Sequence, residues 1–320
     1  MSWKGFVRFS GRRALSAIVE LLVLSIVVFF IVRLIPGDPA AGFFSANTQP
    51  TPEQLEELRT KLGLNLPWYQ QYFQWIGGVA SGDFGASITT PFPVGSQIAA
   101  RLPYSVELAL LASVFAMVFG VLLGFVSGTH PDGWQDGLSR SVAFVFLSVP
   151  SFIVAVALLL LNSRGPKLKL IGATPFLADP LANLGQMLLP ALVLALGLGA
   201  YISRYTRSSL VEDASRPYVR TLRSVGTSPK AISWFSLRNA MIPVSTVMAV
   251  ELASLVGGTV VIEQVFSIPG MGTYLINAIK QHDYPAIQGS IFVIGAVYVV
   301  LNLVVDLLYP VIDPRVRVAQ

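Results

Sequence analysis

Six apolar runs divide this chain, and each is long enough to cross a lipid bilayer, which takes about 20 residues of helix. They lie at about 14–35, 105–128, 141–162, 186–206, 244–264 and 288–309. Only 12% of the residues are charged, whereas a soluble domain needs about 25% to hydrate its surface. The sequence therefore predicts an all-α membrane protein with six transmembrane helices.

The first apolar run follows a cluster of basic residues, an order that also occurs in cleaved signal peptides. The apolar core of a signal peptide covers about 7–15 residues. The run at 14–35 is longer, so we interpret it as an uncleaved anchor. If the N-terminus is cytoplasmic, 14 Lys and Arg residues fall in segments on that side and seven on the other. Both termini are therefore predicted to be cytoplasmic, although the basic cluster at 164–169 runs against this trend.

The predicted organisation has four parts. An N-terminal segment with the first helix covers 1–35, and an extracytoplasmic segment covers 36–104. A five-helix core covers 105–310, with a cytoplasmic connection at 207–243, and a cytoplasmic tail covers 311–320.

Two elements stand out in the extracytoplasmic segment. Residues 52–62 predict a short surface helix with Pro52 in its first turn. An aromatic segment follows, at Trp68, Tyr69, Tyr72, Phe73 and Trp75. Aromatic residues are enriched at membrane interfaces, but the same residues would suit the core of a small external subdomain, and both interpretations stay open.

Glycines at helical spacing predict close helix packing. Gly120, Gly124 and Gly128 share one face of the second span, where another helix can approach closely. Two further pairs predict similar contacts or a local helix deformation: Gly197 with Gly199, and Gly257 with Gly258.

The sequence lacks the motifs of an enzyme. It has no G-x-x-x-x-G-K-[ST] phosphate loop, H-E-x-x-H pair or G-x-S-x-G elbow. It has no Cys, which excludes thiol chemistry and Cys-ligated zinc. His130 and His282 fall on opposite sides of the predicted membrane and cannot share a metal ion within one chain. The basic residues flank the apolar runs, which does not indicate a nucleic-acid partner. No catalytic, cofactor or metal site is expected.

The connection at 207–243 has the residue order of a helix–turn–helix. Residues 212–214 (EDA) end one helical stretch, Gly226 offers a helix-terminating turn, and residues 228–229 (SP) open the next helix with a cap and a first-turn proline. The element has no apolar domain of its own, so it needs a partner to hold it. The alternative is a basic loop that only sets orientation.

This connection resembles the cytoplasmic coupling loop, or EAA loop, of binding-protein-dependent ABC importer permeases. The dipeptide/oligopeptide/nickel branch is most similar, since its Y-V-R-T-A-R-x-x-G and L-R-N-A-x-I-P patterns match YVRTLRSVG at 218–226 and LRNAMIP at 237–243. Further matches follow the family's order: IPGDP at 35–39, GDFGAS at 82–87, GGTVVIEQVF at 257–266, IPGMG at 268–272, DYP at 283–285 and DPR at 313–315. Pro217, Val225 and the partial E-A-A pattern depart from the family, which leaves the identity of the partner ATPase open.

The resemblance implies a type I ABC importer permease of the bacterial inner membrane. Its partners would be a second homologous permease subunit, two cytoplasmic ABC ATPase subunits that bind ATP and Mg, and an extracytoplasmic substrate-binding protein. The cargo would be a peptide or a similar small solute such as nickel or glutathione. The residues assigned to ATPase coupling are Glu212, Asp213, Ala214, Arg220, Arg223, Gly226, Ser228 and Pro229. Glu212 would accept hydrogen bonds from the ATPase or pair with an arginine of the loop.

Acidic residues in and beside the spans form a second group of candidates, because a charge at the bilayer centre costs at least about 2.5 kcal/mol. Glu20, Glu251 and Asp306 lie within spans. Glu251 either lines the pathway or forms a helix–helix hydrogen bond, and Asp306 is interpreted as structural. Glu263 and Asp283 are predicted to flank the external mouth, where they would meet a binding protein or the amino terminus of the substrate.

Two other functional classes compete with this interpretation. A secondary transporter driven by an ion gradient would need no ATPase, but it leaves the cytoplasmic helix–turn–helix unexplained. A membrane enzyme would need a nucleophile with a nearby base or a set of metal ligands, and the sequence offers neither.

Overall fold

The computed structural model describes residues 3–34, 40, 51–61, 63–165 and 168–312. Within these ranges the regular structure is helical, apart from one antiparallel β-bridge between Ala86 and Pro93. The helices are α1 Trp3–Arg33, α2 Pro52–Lys61, α3 Trp68–Ala80, α4 Val94–Thr129, α5 Trp134–Ser148, α6 Ser151–Arg164, α7 Pro180–Ala214, α8 Pro217–Ser224, α9 Pro229–Phe266, α10 Met271–Lys280 and α11 Tyr284–Ile312. The predicted all-α fold is confirmed. The motifs at 35–39 and 313–315, and the tail from 313 onward, lie outside the described residues.

Six spans can be assigned to these helices. In the described part of the chain, α1, α4, α7 and α11 are each long and apolar enough to cross a bilayer. Two bent pairs raise the total to six if each counts as one span: α5 with α6, and the Gly257–Phe266 part of α9 with α10. The predicted six-span architecture is thus supported, while the side on which the termini lie stays a prediction.

The third predicted span, at 141–162, is broken. α5 and α6 meet at an angle of 93°. Pro150 lies between them, and it lacks the N–H that a continuous helix requires. It also disfavours helical backbone at Val149, which is extended at φ −94° and ψ 119°. The apolar composition of this run did not indicate the break, but the proline within the run was an available signal.

The close packing predicted from glycine spacing occurs between α4 and α7. A Cβ on Gly124 would stand 2.5 Å from the carbonyl oxygen of Ser203, and one on Gly120 would stand 2.5 Å from that of Gly199. Gly128 approaches α7 in the same way. This contact is the most extensive between two helices of the described chain. Space is open beside three other glycines with predicted contacts: Gly197, Gly257 and Gly258.

α1 runs antiparallel to α11. Arg13 forms a 2.9 Å ion pair with Asp306, and farther along α1 a Cβ on Gly295 would lie 2.6 Å from Leu24. Asp306 therefore has the structural role that was predicted for it.

Candidate functional site

The residues predicted for coupling lie where α7, α8 and α9 meet, a unit that we call the hairpin (residues 207–243). α7 ends at Ala214, as the EDA sequence predicted, and two residues lead into α8. Pro217 occupies the first turn of α8, where its fixed φ suits the helix and its missing N–H costs nothing. α9 then runs without a break from Pro229 into the fifth predicted span, with Pro243 in its interior.

Tyr218 connects the three helices of the hairpin. Its hydroxyl donates to Asp213 Oδ2 at the end of α7 and accepts a 3.0 Å hydrogen bond from Asn239 Nδ2 of α9. Asp213 is buried and also lies 3.6 Å from Arg216 Nε. Burial, and then the hydrogen bond to Asp213, raise the pKa of the Tyr218 phenol, which favours the protonated form that donates to Asp213. Val219 is fully buried on the same helix, so α8 is fixed to both of its neighbours.

The turn between α8 and α9 depends on Gly226. Its φ is +79°, in the left-handed region that glycine adopts without steric cost. Its N–H donates to the carbonyl oxygen of Arg223 at 3.1 Å and satisfies one of the last carbonyls of α8. Ser228 caps α9 by accepting from the N–H of Ala231 at 3.4 Å, and Pro229 follows in the first turn. The predicted turn and cap are confirmed, while their role in coupling stays a prediction.

Glu212 pairs within the hairpin. Its exposed carboxylate accepts a 3.1 Å hydrogen bond from Arg216 Nη2. An exposed pair of this kind contributes about 0.2–1 kcal/mol, so a partner protein that offers a better donor can displace it.

The hairpin presents basic and apolar side chains to its surroundings. Arg220 and Arg223 are exposed, and neither forms an ion pair within the described residues. Val225 is 71% exposed and Trp234 is 68% exposed, with Phe235 beside it. Trp234 and Phe235 were not predicted from the sequence, although two adjacent aromatic residues in the polar first turns of α9 were an available signal.

A buried ion pair fixes α7 where the hairpin begins. Asp136, in the first turn of α5, accepts from Arg207 Nε at 2.8 Å and from Arg207 Nη2 at 2.7 Å. Ser127 Oγ of α4 and the N–H of Asp132 donate to the same carboxylate. From the sequence, Arg207 was predicted only to set orientation, and Asp136 was not predicted at all.

Glu263, predicted to flank the external mouth, is enclosed by its own chain at the end of α9. It is fully buried. Its Oε1 accepts from Ser105 Oγ at 2.6 Å, and its Oε2 accepts from the N–H of Thr273 at 3.1 Å. The carboxylate thus caps the first turn of α10, which explains why it is enclosed.

Asp283 is enclosed in a similar way. It is 1% exposed, and it accepts hydrogen bonds from the hydroxyls of Ser87 and Thr89 and from the N–H of Ala286. It ties the segment before α4 to the first turn of α11. Donors of their own chain thus surround both carboxylates, and a contact of Glu263 or Asp283 with a solute or a binding protein stays a prediction.

Other acidic residues of the spans are more accessible. Glu251 is half-buried in α9, within electrostatic range of Tyr201, and its role in the pathway stays a prediction. Glu20 is exposed on α1.

Glu107 of α4 was missed from the sequence. Its Oε2 accepts from Asn183 Nδ2 at 3.2 Å, whereas its Oε1 is buried without a hydrogen-bond partner in the described chain. Among the described residues, no three His, Asp or Glu side chains lie close enough together to hold a metal ion.

Comparison with known proteins gives matches over nearly the whole chain. Residues 120–318 match the family described as binding-protein-dependent transport system inner membrane component, and residues 6–109 match the N-terminal part of such membrane components. A putative peptide transport system permease protein of Brucella abortus strain 2308 is 39% identical over 308 residues, which cover 96% of this chain and 98% of the relative. The glutathione transport system permease protein GsiC of Escherichia coli K12 is 34% identical over 308 residues, covering 96% and 97%.

Proposed function

The chain belongs to the family of binding-protein-dependent transport system inner membrane components, and we propose that it is the permease subunit of an ATP-driven importer in a bacterial inner membrane. In this proposal it forms the translocation path together with a second, homologous permease subunit. Two cytoplasmic ABC ATPase subunits bind ATP and Mg, and an extracytoplasmic binding protein delivers the solute. The names of the relatives favour a peptide or glutathione as cargo.

The hairpin carries the proposal of ATPase coupling. Neighbouring large apolar side chains that are exposed together favour an interaction with another protein, and Trp234 and Phe235 are adjacent and both exposed, with Val225 exposed at the end of α8. Arg220 and Arg223 lie on the same element and favour an acidic partner surface. An ATPase groove that receives α8 would cover the apolar side chains and neutralise the basic ones.

Motion of α8 has a direct route to the spans. Tyr218 ties α8 to both α7 and α9, and Arg207 ties α7 to Asp136 of α5 and, through the same carboxylate, to Ser127 of α4. Closure of the ATPase dimer would therefore displace four helices together, without a flexible loop in between.

Cysteine cross-linking tests the docking surface, because the chain has no native Cys. A Val225→Cys variant should form a disulfide with a single-Cys ATPase subunit in membranes, with a yield that changes when ATP is added. Gln281→Cys, which is exposed after α10 near the opposite end of α9, is the matched control and should give no product. Equal cross-linking of the two variants, or none at position 225 in a complex that retains the ATPase, would contradict the proposal.

Transport in proteoliposomes separates this proposal from a secondary transporter. Uptake should require ATP on the hairpin side together with the binding protein, and it should persist when ionophores collapse all ion gradients. Uptake that follows an ion gradient without ATP would favour the secondary transporter. The ligand retained by the purified binding protein identifies the cargo.

A further inference from the structure

α3 lies across the α1–α11 pair. Near its start, the Trp68 ring is 5.8 Å from that of Phe30 in α1. Seven residues later, the Trp75 ring is 6.1 Å from that of Phe29 in α1 and 5.7 Å from that of Phe292 in α11. If α3 ran along α1, seven residues would shift the contact along α1 by a similar number. Trp68 and Trp75 instead contact adjacent residues in one turn of α1, so α3 crosses α1 and continues onto α11.

The crossing lies within the apolar part of α1. Tyr72, in the middle of α3, shares a 2.7 Å hydrogen bond with Ser25 Oγ. Ser25 is eight residues before Arg33, the last residue of α1, and eight helical residues span about 12 Å. Phe30 belongs to the exposed apolar face that α1 presents along its span. Because Trp68 packs on Phe30, the exposed side of α3 continues that lipid-facing surface.

α3 has separate apolar and polar exposed faces. Tyr69 and Phe73 are exposed and four residues apart, so they share one face. Gln70 and Gln74 are also exposed and four residues apart, and they lie farther round the helix. A helix that packs on protein and divides its remaining surface in this way fits an orientation parallel to the bilayer, with one face in hydrocarbon and the other in water.

We propose that α3 is an in-plane membrane helix whose Tyr69–Phe73 face binds phospholipid acyl chains. Under the predicted orientation these belong to the extracytoplasmic leaflet. Arg33 marks the adjoining headgroup level: its guanidinium lies 3.4 Å from the centre of the Phe29 ring and donates to Gln71 Oε1 at 2.6 Å. The partner is lipid because this surface is continuous with that of α1. The extracytoplasmic segment is thereby attached to the bilayer, and α3 braces α1 against α11 from the side.

Collision accessibility of single nitroxide labels tests this assignment in the full chain reconstituted in phospholipid vesicles. Labels on Tyr69→Cys and Phe73→Cys should collide with oxygen more often than with a water-soluble nickel chelate. Labels on the matched variants Gln70→Cys and Gln74→Cys should show the reverse. Equal nickel accessibility at positions 73 and 74 would place α3 in water. Protection of position 73 from both reagents would show that protein covers the face. Either outcome would overturn the proposal.

A second measurement avoids cysteine substitution on α3. Lipids brominated on their acyl chains quench tryptophan fluorescence by contact. The native protein should therefore show a quenched component that disappears in Trp68→Phe, because Trp68 is exposed and its ring lies 5.8 Å from that of Tyr69. Lipids brominated on the headgroup should quench that component less. Absence of a Trp68 component with either lipid would also overturn the proposal.

Discussion

Arg207 of α7 holds Asp136 of α5 through two parallel hydrogen bonds, of 2.8 Å and 2.7 Å. Two parallel bonds fix the orientation of both groups as well as the distance between them. Arg207 lies two turns before the end of α7 at Ala214, so the pair holds the part of α7 that carries the hairpin against the connection between α4 and α5. The buried carboxylate makes this junction sensitive to the loss of either partner.

Replacing Asp136 should destabilise the protein more than removing an exposed ion pair. Asp136→Ala leaves the charge of Arg207 without its partner and should lower the free energy of unfolding by about 1–3 kcal/mol. Arg207→Lys keeps the charge but loses the bidentate hydrogen bonding, so it should give an intermediate loss of unfolding free energy. The thermal unfolding midpoint of the purified protein in detergent measures both effects. Glu212→Ala, which removes only the exposed pair with Arg216, is the control and should leave the midpoint unchanged. Equal midpoints for all three variants would contradict the structural role of the buried pair.

Gly226 should tolerate only residues that adopt a left-handed backbone. Its φ of +79° makes a β-branched residue unfavourable by about 1–3 kcal/mol, although no neighbouring atom lies where a Cβ would be. Gly226→Val should therefore abolish uptake while the protein still inserts into the membrane. Gly226→Asn should retain uptake, because Asn visits this region more readily. Gly185→Val, at an open helical position with ordinary φ, is the control for added bulk. Normal uptake by a stably expressed Gly226→Val variant would refute the requirement for this turn.

Removal of the Tyr218 hydroxyl should weaken the hairpin without unfolding the spans. Tyr218→Phe loses the bonds to Asp213 and Asn239, each worth about 1 kcal/mol. ATP hydrolysis by the assembled transporter should then continue, but with a weaker dependence on substrate. Asn239→Ala should produce part of the same effect, because it removes one of the two bonds. If neither variant changes the coupling ratio, measured as solute imported per ATP hydrolysed, the hydrogen bonds of Tyr218 have no role in transmitting motion from the ATPase to the spans.

The pH dependence of the hydrogen bonds made by Tyr218 follows from its raised pKa. The unfolded phenol has a pKa of about 10, and the folded one lies above it. The stabilisation is therefore fully present below about pH 10 and is lost as the pH rises through the folded value. Spectrophotometric titration of the wild-type protein minus that of Tyr218→Phe should show one tyrosine that ionises later than a free tyrosine. A difference curve centred at or below the ordinary value would contradict the buried contact with Asp213.

Local signals predicted the hairpin well. Gly226, Ser228 and Pro229 act on their own backbone or on a residue within one turn, so their positions in the sequence indicate what they do. Long-range pairs were beyond the sequence. Asn239 and Tyr218 are separated by 21 residues, and Arg207 and Asp136 by 71. Only the folded arrangement of helices shows that these side chains meet.

The enclosure of Glu263 and Asp283 was beyond the sequence for a related reason. Within an apolar run, a carboxylate is unusual whether it serves a solute or caps a helix, and composition does not distinguish the two roles. Ser105 lies 158 residues before Glu263, yet it supplies one of the donors that enclose the carboxylate. Asp283 likewise receives its hydroxyl donors from the segment before α4.

Substitution of Glu263 distinguishes a helix cap from a solute contact. Glu263→Ala removes the two carboxylate oxygens that accept hydrogen bonds from Ser105 Oγ and from the N–H of Thr273. It should lower the free energy of unfolding by about 1–3 kcal/mol. Glu263→Gln should cost less. Its amide oxygen can still accept from the fixed N–H, and its amide group can donate to the serine, so only the serine hydroxyl hydrogen loses a partner. Glu251→Gln is the matched control in the same helix and should leave the unfolding midpoint unchanged.

A substitution that leaves the carboxylate in place supports the same distinction. A Cβ on Gly270 would lie 2.5 Å from the carboxyl group of Glu263, so Gly270→Ala should push the carboxylate away from the first turn of α10 and lower the unfolding midpoint as Glu263→Ala does. Gly257→Ala lies in open space on the same helix as Glu263 and should have no effect on the midpoint. Because Gly270 contributes no side chain to a solute site, agreement between Gly270→Ala and Glu263→Ala assigns the acid to the architecture of the bend between α9 and α10. If Glu263→Ala instead keeps the wild-type midpoint but loses uptake, the carboxylate must reach the solute in another conformation, and its role as a cap is refuted.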